Sequence, residues 1–195
     1  PHLVDILKGK FKAYQTKYGI EVPGAFGLAH SPTKGPEFSA AWTIEESEEI
    51  NQLTADGSFI KSLRVSDLPA DKSISDVIRT QWVYDAKLSN PPRRKARMVA
   101  DGRDDTTTDD TFSPVARTDT FKLVCTVIAQ LRMSFGTADV KKAFFKGRFA
   151  GLRYFIWAPP GFSAFPGEIW EVLVPIYGLT ISARLWYQCI SEFLR

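Results

Sequence analysis

Two stretches, TQWVYDAKL at 80–88 and RRKARMVADG at 93–102, stand on either side of Ser89-Asn90-Pro91-Pro92, and this arrangement limits the fold more than anything else in the chain. Ser, Asn and Pro mark a tight turn, proline because its φ is fixed and its ladder donor is missing, and the Trp-Val-Tyr run favours a strand. The unit reads as a β-hairpin with a basic second strand. Charge around it is uneven. Residues 79–103 carry seven Lys or Arg against Asp85 and Asp101, whereas residues 41–58 carry Glu45, Glu46, Glu48, Glu49 and Asp56 with no Lys or Arg. A polyanion would prefer the first stretch, and the acidic face of the second reads as solvated.

The 195 residues are 44% hydrophobic and 24% charged, which supplies core material for one large domain or two small ones. No apolar run approaches the ~20 residues a membrane-spanning helix needs, and no signal-peptide layout opens the chain, so an intracellular protein is expected, with no membrane partner. Cys125 and Cys189 lie in apolar helical patterns. With only His2 and His30 beside them, neither a zinc spacing nor a Cys/His nucleophile pair assembles, and buried structural thiols are expected. The chain starts at Pro1 and stops at Arg195 inside an amphipathic pattern, which reads as a piece cut at both ends.

Residues 1–20 place Leu3, Ile6, Leu7, Phe11 and Tyr14 near helical spacing, and the Pro and Gly residues after them read as a linker. A helix is expected at about 40–54, with Trp42, Ile50 and Leu53 on one face. Behind a Thr118/Asp119 cap, Phe121, Val124, Cys125, Ile128 and Leu131 predict a largely buried helix. SFGTADV (134–140), YFIWAPPGF (154–162) and IWEVLV (169–174) read as strands, and a last helix runs from Ser182.

In order along the chain stand Trp82-Val83-Tyr84, RKARMVADG (94–102), TFSPVAR (111–117), DVKKAFFKG (139–147), Tyr154-Phe155 followed by PPGF (159–162), and YGLTISARLWY (177–187). Six blocks in this order and spacing resemble the reverse transcriptase of copia-type LTR retrotransposons, over about residues 35–195. The resemblance implies an α+β fold, an incomplete right-hand polymerase in which a fingers hairpin joins part of an antiparallel palm sheet packed on helices. It divides the chain into an unassigned or linker stretch (1–34), a fingers-like region (35–117) and a partial palm (118–195). By family expectation the partners are an RNA or DNA template-primer and deoxynucleotides, the cofactor is Mg²⁺, and the setting is a cytoplasmic particle or the nucleus; oligomeric state stays open.

Residue by residue, the resemblance assigns Asp139 as the metal-holding carboxylate that ends a palm strand, with the Val140 carbonyl as a further oxygen ligand. Phe144 matches the aromatic that lies under the incoming sugar and excludes a 2′-hydroxyl. Lys95 and Arg97 match the cations that meet the triphosphate, and Arg93 and Arg94 extend the same basic strand towards nucleic acid. Tyr177-Gly178 matches the turn beside the nucleotide and the template base, where glycine permits a close backbone approach.

The sequence departs from the family pattern in places. The family's other two metal carboxylates lie in a Tyr-x-Asp-Asp hairpin beyond the YGLTISARLWY block, so one of three is counted in this chain. Asp104-Asp105 and Asp109-Asp110 read as a solvated loop rather than substitutes. Lys142 replaces a Thr, Thr180-Ile181 replaces Lys-Gln on the substrate-side surface, Ala183 replaces a Pro, and Arg148 to Arg153 replaces an acidic cluster. Three readings follow: a polymerase piece that is inactive alone, a non-catalytic nucleic-acid-binding remnant using hairpin 79–103, and a decayed remnant without a stable fold.

Overall fold

A computed structural model of the chain describes residues 15–23, 35–55, 57–106, 110–159 and 161–195. The hairpin forms as its sequence dictates. Strand β5 (Thr80–Lys87) pairs antiparallel with β6 (Arg93–Ala100) in the register Thr80↔Ala100 to Lys87↔Arg93, around a turn with a cis Asn90–Pro91 bond. Because side chains alternate across a strand, this register puts Trp82, Tyr84 and Ala86 on one face with Met98, Ala96 and Arg94. Val83, Asp85 and Lys87 share the other face with Arg97, Lys95 and Arg93.

Helix α1 (Pro36–Thr54) covers the apolar face. Pro36 opens it where a missing N–H costs nothing, and the buried residues Trp42, Glu46, Ile50 and Leu53 recur three or four positions apart along a single stripe. Trp42 is fully buried and meets the Tyr84 ring edge-on at 5.0 Å. Residues 15–22, expected as the end of a helix running into a linker, instead form a small antiparallel hairpin, β1 (Gln15–Lys17) and β2 (Ile20–Val22). Ile20 and Val22 are buried in the main core, and Lys17 Nζ reaches Asp85 Oδ1 at 2.7 Å. The remainder of the 1–20 helix expectation, residues 1–14, lies outside the described residues.

A second sheet has the order β3-β8-β7-β4, with β3 at Ile60–Arg64, β4 at Val77–Ile78, β7 at Tyr154–Trp157 and β8 at Glu168–Val172. β8 is buried along its whole length between β3 and β7. Its Glu168 carboxylate accepts hydrogen bonds from Ser62 Oγ, the Ala164 amide and Trp170 Nε1. Burial pushes that carboxyl up, but these donors together outweigh it and hold the pKa below the ordinary value. The expected sheet is antiparallel. The observed one is mixed, because β4 runs parallel to β7 through Val77↔Phe155 and Ile78↔Ile156. β3 and β4 lie before residue 117 yet pair with β8 and β7 beyond it, and one core holds Trp42, Tyr84, Ile156, Trp170 and Leu185 together.

Helices α2 (Thr118–Gln130) and α3 (Ser182–Phe193) complete the described elements, a mixed α and β chain. α2 covers nearly the expected residues but starts at Thr118 behind Arg117 with no side-chain cap, not behind a Thr118/Asp119 cap, and its environment differs too: none of its residues is buried, and Phe121 is 65% exposed. Periodicity shows that one face is apolar, and among the described residues no element covers that face. Residues 133–140 carry no strand and are exposed, which corrects the strand expected at SFGTADV. Cys125 and Cys189 are half-buried free thiols rather than core ones.

Candidate nucleotide and nucleic-acid site

The Tyr177-Gly178 turn is clasped to the end of β6. The Ala100 amide donates to the Tyr177 carbonyl at 2.8 Å, and Gly178 takes φ +92°, a left-handed conformation that favours glycine. A side chain at 178 would collide with the Ala100 carbonyl, and one at Gly102 would stand 2.6 Å from the Gly178 oxygen. Two motif blocks far apart in sequence are therefore pressed backbone to backbone. The loop after β6 adds to the clasp. Asp105 accepts from the Thr180 amide at 3.0 Å and the Thr180 hydroxyl at 2.6 Å, and Asp104 receives both Nε and Nη2 of Arg79 at 2.6 and 2.7 Å. Farther along, Arg184 pairs with Asp110 at 3.0 Å. The acidic loop expected to be solvated is thus a tie between hairpin, turn and α3; Asp109 lies outside the described residues. Ile181 sits in the core at 4% exposure, so it does not face a substrate-side surface.

Phe144 stands in a 3₁₀ turn, Ala143–Lys146, that opens after Lys142. Its half-buried ring meets Tyr177 edge-on at 5.2 Å, while Phe145 is buried against Tyr177 and Phe59. Phe144, Tyr177, Gly178 and the end of β6 thus form one connected cluster. Lys95 and Arg97 share the outer face of β6, two and four residues beyond Arg93.

The cations of β6 do not face open solvent alone. A groove of about 260 Å³ is lined by Glu45, Glu48, Glu49 and Gln52 of α1 and by Arg93, Arg94, Lys95 and Ala96. Burial pushes the Glu49 carboxyl up, against the pull of Lys95, Lys142 and Arg97. Burial, and then the neighbouring Arg97, push the Lys95 ammonium down, with Glu49 opposing. Arg94 turns inward with its guanidinium 5.8 Å from the centre of the Trp42 ring. The acidic side of α1, expected to be solvated, is therefore an electrostatic partner of the hairpin. The sequence hides this because the two charge runs lie some forty residues apart.

Asp139 and Val140 are exposed on the irregular segment after α2. Among the described residues no group of three His, Cys, Asp or Glu gathers to hold a metal ion, and no helix is long and apolar enough to cross a membrane.

The reverse transcriptase (RNA-dependent DNA polymerase) family matches the chain over residues 60–195. Curated relatives include the retrovirus-related Pol polyprotein from transposon RE1 of Arabidopsis thaliana, 27% identical over 135 residues, covering 65% of this chain and 9% of the relative. The corresponding polyprotein from transposon RE2 of Arabidopsis thaliana is 29% identical over 126 residues, 60% of this chain and 9% of the relative. That from transposon TNT 1-94 of Nicotiana tabacum is 26% identical over 156 residues, 76% of this chain and 11% of the relative. The chain thus spans about a tenth of the length of the curated relatives it matches. No solved structure matches it. With the family match covering most of the chain and the motif blocks falling within the matched region, the chain belongs to the reverse transcriptase (RNA-dependent DNA polymerase) family, in its copia-type retrotransposon branch.

Proposed function

We propose that this chain supplies the fingers and part of the palm of an RNA-directed DNA polymerase of right-hand fold, and that it does not polymerise by itself. The observation that carries this reading is the cluster in which Phe144 packs on Tyr177 while Gly178 is pressed against Ala100. It joins the proposed sugar-contacting aromatic, the nucleotide-side turn and the strand bearing Lys95 and Arg97 into one body. In this reading Arg97 and Lys95 neutralise the triphosphate, and Phe144 bars the 2′-hydroxyl of a ribonucleotide by steric exclusion. Arg93 shares the outer face of the strand with Lys95 and Arg97, whereas Arg94 is on the opposite face and turned in against Trp42.

Nucleotidyl transfer in this family uses Mg²⁺ to activate a primer 3′-hydroxyl and steady the leaving pyrophosphate. Asp139 and the Val140 carbonyl would hold part of its ligand sphere. The described residues do not make a magnesium site by themselves, because no second and third carboxylate converge. The proposed inactivity of the isolated chain rests on that shortfall among the described residues.

The test is a titration of the purified chain with a fluorescent deoxynucleoside triphosphate, alongside an incorporation assay on a poly(rA)–oligo(dT) template with Mg²⁺. Expected are saturable triphosphate binding, weakened about tenfold or more in Arg97→Ala by removal of a charge-assisted hydrogen bond, and no incorporation. Absence of triphosphate binding would overturn the polymerase reading. Incorporation that vanishes in Asp139→Ala would overturn the claim that the chain is inactive alone.

A further inference from the structure

The hairpin cations that a polyanion was expected to meet are largely engaged within the chain. Arg79 pairs with Asp104, Arg103 with Asp101 and Lys87 with Asp85, and the groove at residues 93–96 is shared with three glutamates of α1. A second basic run differs. Residues 141–153 contain Lys141, Lys142, Lys146, Arg148 and Arg153 and no Asp or Glu. Arg153 is paired with Glu171 at 2.6 Å, and the Lys142 ammonium lies over the rings of Phe59 and Phe145. Lys146 and Arg148 are exposed, and both line a cavity of about 480 Å³ whose other wall is Gln188, Cys189 and Glu192 of α3.

Gly147 fixes where these two cations stand. It is buried, and a side chain there would lie 3.0 Å from Leu185 Cβ and 3.1 Å from Pro175 Cγ, so the backbone between the cations is seated on the start of α3. Its backbone is extended at φ −65° and ψ 165°, and the residues on either side of it, Lys146 and Arg148, line the same cavity. Charge separates this cavity from its neighbours. The α1–β6 groove sets three carboxylates against three cations, and the cavity beside β7 sets Asp76, Asp104 and Asp105 against Lys72 and Arg153. Among the described residues that line the cavity of Lys146 and Arg148, the only carboxylate is Glu192.

We infer that the Lys146–Arg148 cavity is where this chain meets the phosphate backbone of an RNA–DNA hybrid, in preference to the basic hairpin. The inference rests on the polymerase reading for the class of partner, and on geometry for the place. Contacts of this kind position a duplex without reading its sequence, and each phosphate neutralised releases counterions, which makes binding salt-dependent.

The experiment is fluorescence anisotropy of a labelled RNA–DNA hybrid against the full chain over a series of salt concentrations. Lys146→Gln/Arg148→Gln is expected to weaken binding and make the log–log salt slope shallower by about 2, one for each phosphate no longer neutralised. Lys61→Gln/Lys122→Gln removes equal charge from β3 and α2 and is expected to keep the wild-type slope. Both cations are exposed, so an unchanged thermal midpoint in the test variant confirms that folding is intact. The inference is overturned if the test variant keeps the wild-type slope, if Arg93→Gln/Arg94→Gln alone flattens it, if polyglutamate of matched charge binds as tightly, or if the wild-type chain binds no hybrid. None of these outcomes touches the triphosphate titration, on which the polymerase reading stands or falls.

Discussion

Tyr84 on β5 donates its phenolic proton to Glu46 on α1 across 2.5 Å, with both residues buried. A carboxylate on the apolar stripe of a helix is costly unless a donor meets it, and this bond joins α1 to the hairpin at the point where Trp42 packs edge-on against the same tyrosine ring. Tyr84→Phe keeps the ring and removes only the hydroxyl. The expected result is a drop of about 1–3 kcal/mol in urea unfolding with an unchanged m-value. Stability equal to wild type would show that the hydroxyl contributes nothing to the joint.

The clasp between Gly178 and Ala100 makes a second prediction with an internal control. Gly178→Ala combines left-handed strain with a backbone collision that no side-chain rotation relieves, and a destabilisation of about 3–5 kcal/mol is expected. Gly151 has a similar φ of +87° with nothing within 4 Å of an added Cβ. Gly151→Ala should cost about 1–2 kcal/mol, the strain alone. Equal costs in chemical denaturation would mean that the close approach at 178 is absent.

What is legible in the sequence is local. The β5–β6 hairpin announces itself because Trp82, Val83 and Tyr84 sit beside a turn built from Asn90 and two prolines, and a helix at about 40–54 because Trp42, Ile50 and Leu53 repeat at helical spacing, while its first turn from Pro36 goes unread. β4 escapes because two residues, Val77 and Ile78, carry no period at all. Glu46 reads as one of the solvated acids because a charge on an apolar stripe is recognised only when its partner, 38 residues away, is known. The site is half legible: the motif order names Phe144, Tyr177 and Gly178, which the fold brings together. The ties through Asp104, Asp105 and Thr180 depend on tertiary packing that no local pattern encodes.

Helix α2 tests the difference between an apolar pattern and an apolar environment. Phe121 and Leu123 are 65% and 64% exposed. Phe121→Gln/Leu123→Gln is therefore expected to change unfolding free energy by less than about 0.5 kcal/mol, against about 3–5 kcal/mol for Trp42→Ala in the core. Light scattering of concentrated samples should fall in the double variant, since exposed large apolar side chains favour self-association. A destabilisation comparable to that of Trp42→Ala would show that α2 is packed after all.

Asp101 sets the acid limit of the loop that clasps hairpin to turn. Arg103 donates to its carboxylate from Nε at 2.8 Å and Nη2 at 2.5 Å, and with Arg79 nearby these interactions overcome burial and lower its pKa from 3.8 to about 2. A depressed folded-state pKa means that the unfolded chain binds the proton more readily. The contribution is therefore present above about pH 4 and is lost as pH falls from there towards 2. Asp101→Asn removes the titrating group, so wild type should exceed the variant in unfolding midpoint near neutral pH and converge with it as pH approaches 2. The guanidinium groups are well exposed, so high salt should shrink the neutral-pH gap. A gap that persists unchanged at the acid end would show that the carboxylate is not held by these arginines.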